Sequence, residues 1–113
     1  MIKNSDSEFL ILLYSLKSNK ITMATTITIK EEAIPIVKSG LAIEENILKI
    51  SLDEYKKDLE AFEREYKMSS AVFIQKFESG DLGDDAKWFD FLFAYRAYEH
   101  VKKKLKLIDE IPI

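Results

Sequence analysis

The sequence predicts a mainly α protein, with three C-terminal helices over about 52–66, 70–79 and 85–107 behind a short β-containing N-terminal segment. Three observations carry this. Apolar residues recur at spacings of 3 and 4 from Leu52 to Tyr66, the period of one helix face. Ser69 and Gly80 bracket a shorter apolar run as start and stop signals. An aromatic-rich stretch beginning near Asp85 ends in Lys102, Lys103, Lys104 and Lys106, and positive charge suits a helix C-terminus.

At 113 residues, 47% hydrophobic and 33% charged, the chain suits one small globular domain. Its composition divides it into 1–22, 23–50 and 51–113, the last of these the helical domain. A formal net charge of −3 and a pI near 5.2 exclude a protein that grips nucleic acid with its whole surface. Cysteine is absent, which removes disulfides, thiolate nucleophiles and Cys-based metal sites, and a reducing cytoplasm is the expected location. The apolar run at 9–16 is much shorter than the ~20 residues that span a bilayer, so no membrane partner is expected.

Residues 1–22 have two readings. Composition changes at Met23, so the preceding segment is either a non-native extension upstream of the natural start or the source of one short helix, Glu8 to Leu16, packed on the core. From there Thr26, Ile27, Thr28 and Ile29 alternate as a strand does, over 25–30. Pro35 and the pair Ser39-Gly40 mark breaks, and "ILKISL" makes 47–51 a second strand. The two strands can pair within one molecule or across a homodimer.

Ser51 followed by Glu54 has the capping-box pattern, which places a helix start there. Leu52, Tyr55, Leu59, Phe62 and Tyr66 form its apolar stripe. Ser69 or Ser70 caps the second helix, with Val72, Phe73, Ile74 and Phe77 on its apolar side and Gly80 just past its end. The third helix carries Trp88, Phe91, Leu92, Tyr95, Tyr98, Val101, Leu105 and Ile108 on a broad apolar face, with Trp88, Phe91, Leu92 and Tyr95 set inward against Leu59 and Phe62.

The stretch "FESGDLGDDAKWFDF" at 77–91 holds four aspartates, which raises the question of a metal. A calcium loop of the EF-hand type needs oxygen ligands at fixed positions and glycine at the sixth, where counting from Asp81 gives Ala86. A corner explains the residues better. Gly80 closes one helix, Leu82 plugs the turn, Gly83 permits the reversal, and Asp84 caps the next helix with Asp85 in its first turn. His100 is the only histidine and has no partner legible as a catalytic base. No catalytic, cofactor-binding or metal-binding residue is therefore assigned, and no cofactor is expected.

The segment 59–105 resembles a family of small prokaryotic antitoxins. Their pattern is a charged helix ending in E-K/R-x-Y-G-M-S-S-E-E-F, then F-x-x-G-E-L-G-D-D, then an aromatic-rich helix. It is met here by Glu63, Tyr66, Met68, Ser69, Ser70, Phe73, Phe77, Gly80, Leu82, Gly83, Asp84 and Asp85. Lys67 stands where glycine is usual, and Ala71 and Val72 stand where two acids are usual. The resemblance implies an antitoxin of a toxin–antitoxin module that neutralises a cognate toxin of the TumE-like group by direct binding.

Aromatics make up 12% of the chain, more than a small core consumes, and spare aromatics anchor interfaces. Phe89 and Phe93, four apart on the third helix, form a ridge away from the inward set, with Arg96 beside it, and this ridge is the expected partner-binding site. Two further functions compete. One is weak operator binding by a dimeric autorepressor through the strand at 25–30, whose only base, Lys30, adjoins Glu31 and Glu32. The other is a small structural or adaptor protein.

Overall fold

A computed structural model describes residues 23–113. Residues 1–22, and with them both readings of that segment, lie outside the described residues. A 3₁₀ turn (Glu31–Ala33) leads into three α-helices, which we number α1 (Ile34–Tyr66), α2 (Ser70–Glu78) and α3 (Ala86–Asp109). All belong to the unit Glu31–Ile113.

The mainly helical expectation holds, and the boundaries of α2 and α3 fall close to the expected ones. The N-terminal half of α1 is the correction. Residues 47–51, expected as a strand, are helix, as are Ser39-Gly40, expected as a turn, and Ser51 sits deep within α1 rather than at its start. No strand occurs among the described residues, and 25–30 form no regular element. Pro35 lies in the first turn, where its missing N–H would have had no helical acceptor, so it starts the helix instead of breaking it.

Register explains why Leu48 and its neighbours are helical. Ile34, Val37, Leu41, Leu48 and Leu52 extend the Leu52-to-Tyr66 stripe upstream on the same helix face. At one end of the hairpin Tyr66 meets Trp88 (ring centroids 4.8 Å apart) and Phe62 meets Phe91 (5.2 Å). At the other, Lys49 has its pKa raised by a hydrogen bond from its ammonium to Glu45, with Asp109 at the end of α3 adding to it. The two helices therefore run antiparallel, and α3 is long enough to help bury Leu48, as it does its own Val101. Burial of a leucine outweighs the weak strand preference of its neighbours.

The core sits where α2 crosses this hairpin. Leu59, Phe73, Trp88, Phe91, Leu92 and Ala94 are buried together, with Phe62 and Tyr95 packed against them, so the expected inward set is the observed one. Phe73 and Phe91 are fully buried and stack with centroids 3.9 Å apart at an interplanar angle of 3°. Such pairs contribute ~0.5–1.5 kcal/mol beyond the area they bury.

The connections are capped closely. Ser69 Oγ accepts from the Val72 N–H at 3.2 Å. Glu63, from the preceding helix, accepts from the Ser70 N–H at 2.7 Å and from Ser70 Oγ at 3.0 Å, so α1 itself helps to start α2. Between them Lys67 ends α1 in the left-handed conformation, with φ 52° and ψ 43°. At the far end of α2 Gly80 has φ 81°, the Asp81 N–H donates to the Lys76 carbonyl and the Gly80 N–H to that of Phe77, the paired bonds of a Schellman motif. Leu82 packs on the core and Gly83 has φ 77°, as a corner requires. The cap of α3 is Asp85, whose carboxylate accepts from the Lys87 N–H at 3.1 Å, and not Asp84 as expected. The helix starts one residue later, so the side chain two residues before Lys87 is the one in reach.

Candidate partner-binding face

The α1–α3 hairpin has two sides, and α2 covers one. On that side Glu63 holds Ser70, and Phe73 lies flat on Phe91. No element among the described residues covers the opposite side. There an open groove of about 360 Å³ runs between α1 and α3, lined by Asp58, Ala61, Phe62, Asp90, Phe93 and Ala94.

The structure divides the ridge expected on α3. Phe93 is 68% exposed and stands over the groove beside Ala61 and Phe62. Phe89 is 49% exposed, but its ring meets Phe77 of α2 edge-on, with centroids 5.6 Å apart. Arg96 is exposed on α3 and makes no ion pair among the described residues. Phe93 is therefore the more exposed aromatic of the ridge, and Phe89 is partly engaged with α2.

The other residues considered for chemistry are dispersed or occupied. Asp85 caps α3, Asp81 and Asp84 lie exposed in the turn, Asp90 rims the groove, and His100 is exposed on α3. Among the described residues no three His, Cys, Asp or Glu side chains come together in a way that could hold a metal ion. No helix among them is long and apolar enough to cross a membrane. Tyr66 has its pKa raised, chiefly by desolvation in the aromatic cluster, with Glu65, Asp85 and Asp90 adding to the effect. That is a packing consequence, since Tyr66 sits between Phe62 and Trp88.

A second apolar feature lies on the same side of the hairpin. Ile36, Ile43, Ile47 and Ile50 of α1 are 73%, 60%, 52% and 62% exposed. At 100° per residue they form one line roughly 120° around the helix from the buried stripe, the line that Ala61 later continues at the groove. Gly40 falls on it, giving the spacings 4, 3, 4, 3 of a coiled-coil seam. Covering these four side chains would return on the order of 5 kcal/mol before the costs of association.

Charge is segregated around the same helix. Continued at the same spacing, the line passes through Glu54, Lys57 and Ala61, and the charged residues that flank it, among them Asp58 and Glu65, are exposed and acidic. Lys57 on the line pairs with Asp53 at 3.0 Å, both side chains exposed. Lys38, Lys49 and Lys56 fall about 150° away, toward the side that α2 covers. The isoleucine line is hard to see in the sequence because Pro35 and Gly40 carry break signals and 47–51 a strand signal. The 4, 3, 4, 3 spacing is the feature that identifies it.

The fold and this face define a helical hairpin braced on one side, with an acid-rimmed surface on the other that no element among the described residues covers. Compared with protein-family models, with curated proteins and with solved structures, the chain matches none.

Proposed function

We propose that the protein is a noncatalytic, cytoplasmic antitoxin that neutralises a small toxin by direct protein–protein binding through the side of the hairpin that α2 leaves bare. The observation that carries this is Phe93, a large aromatic 68% exposed over an open groove between α1 and α3 that also presents Ala61, Phe62, Asp58 and Asp90. Aromatic anchors on preformed surfaces are where binding energy concentrates. The resemblance of 59–105 to small antitoxins supplies the class of partner, a toxin of the TumE-like group. Asp58 and Asp90 at the groove rim favour a partner with basic residues around its contact surface.

The test is coexpression with the small protein encoded beside it. Growth should be arrested by that protein alone and restored by this chain, and the two should copurify as a complex of defined stoichiometry. An adjacent product that is harmless, or that is neutralised without any complex forming, refutes the proposal.

A further inference from the structure

We infer that the line Ile36, Gly40, Ile43, Ile47 and Ile50 on α1, continued by Glu54, is the seat of a helix from the partner protein, one that carries Lys or Arg beside its own apolar stripe. It rests on the reading of this chain as a protein-binding module. The spacing identifies the occupant as a helix, because residues at 4, 3, 4, 3 face one straight neighbour and form the holes into which that neighbour's side chains fit. The buried stripe about 120° away shows that α1 already gives its other seam to the hairpin. Gly40 points the same way. It sits in mid-helix, and a Cβ there would meet no atom within 4 Å, so nothing inside the protomer requires glycine. A helix packing across that position would gain close approach of the two backbones.

Charge selects the kind of helix. Glu54 and Lys57 stand on the line itself, Lys57 paired to Asp53, and the charged residues flanking the line, Glu44, Asp53, Asp58, Glu60 and Glu65, are all acidic and exposed. A second copy of this chain is disfavoured on the same ground. In parallel register Glu54 meets Glu54 and Lys57 meets Lys57, and in the antiparallel register that sets Ile36 against Ile50, Glu54 meets Glu32. A helix flanked by Lys and Arg meets opposite charge there instead, at the end of the seat nearest the groove.

The experiment uses the full chain and two synthetic helical peptides of about three heptads, both with leucine at the seam positions, one flanked by Lys and Arg and the other by Glu. Binding is followed by fluorescence anisotropy at low salt and at 0.5 M salt, and self-association by light scattering. The expected result is binding of the basic peptide at least about tenfold tighter than the acidic one, with the difference shrinking at high salt as screening sets in. Ile43→Gln with Ile47→Gln should weaken the basic peptide about tenfold or more while the variant still melts cooperatively within several degrees of wild type, since both positions are more than half exposed.

Equal binding of the two peptides, or binding indifferent to the double substitution, overturns the inference. So does a stable dimer that the double substitution dissociates, because the second copy is then the occupant. The inference and the proposed function fail separately. If Phe93→Ala abolishes neutralisation while the peptides are not discriminated, the antitoxin reading stands and the seat on α1 falls. If the basic peptide binds through Ile43 and Ile47 but the adjacent gene product forms no complex, the seat stands and the antitoxin reading falls.

Discussion

Phe93→Ala separates binding from folding, and its size can be worked from exposure. A phenylalanine side chain carries ~200 Å² of surface. At 68% exposure, roughly 65 Å² is covered by the protein's own fold, which at ~25 cal/mol per Å² is about 1.6 kcal/mol as an upper bound. Alanine returns ~0.5 kcal/mol through its better helix propensity, so the net loss is about 1 kcal/mol, or roughly 5 °C in Tm. The remaining ~135 Å² is available to a partner and is worth ~3.4 kcal/mol, about 300-fold in Kd. The assay is paired, with calorimetric titration against the purified product of the adjacent gene and a thermal melt of the variant alone, beside Phe91→Ala as the core reference. Phe91 is fully buried, and its truncation should cost ~3–5 kcal/mol of stability. If Phe93→Ala melts as low as Phe91→Ala, its ring is structural; if affinity is unchanged at wild-type stability, the groove is not the contact.

Gly40→Ala should raise stability by about 1 kcal/mol, since the helical glycine has open space around it, and an unchanged or lower Tm would show that the glycine is needed within the protomer. Lys67→Gly should stabilise by ~0.5–1 kcal/mol in urea melts, because Lys67 is held at φ 52° where glycine rests without strain; a loss would mean its side chain has a role that this conformation does not show. Glu63→Ala should cost ~1–2 kcal/mol by leaving the first turn of α2 without the carboxylate that accepts from Ser70, and circular dichroism with a denaturant midpoint reads it. The raised pKa of Tyr66 means that the folded chain keeps a proton the unfolded chain has already lost, so this contribution is intact below the ordinary tyrosine value of ~10 and is lost as pH rises through the folded value. A difference titration of wild type against Tyr66→Phe at 295 nm should show the missing tyrosine ionising later than the rest; an earlier one refutes the desolvation argument.

Local chemistry made much of this protein legible in its sequence. The corner at 80–85 was readable because left-handed backbone demands glycine and free helix N–H groups demand an oxygen, requirements that act within a few residues. The inward set of Trp88, Phe91, Leu92 and Leu59 was readable because an amphipathic helix can bury only one face. The spare character of Phe93 followed from the same geometry. The N-terminal half of α1 was different: its Ser39-Gly40, Ser51-Glu54 and "ILKISL" signals are each worth about 1 kcal/mol or less. Only packing beside α3, a neighbour distant in sequence, could outweigh them and carry the helix back past Leu48. Tertiary structure likewise decided that α2 braces one side of the hairpin and leaves the other bare. That choice depends on Glu63 reaching Ser70 and Phe73 stacking on Phe91, contacts that exist only once the chain has turned back on itself.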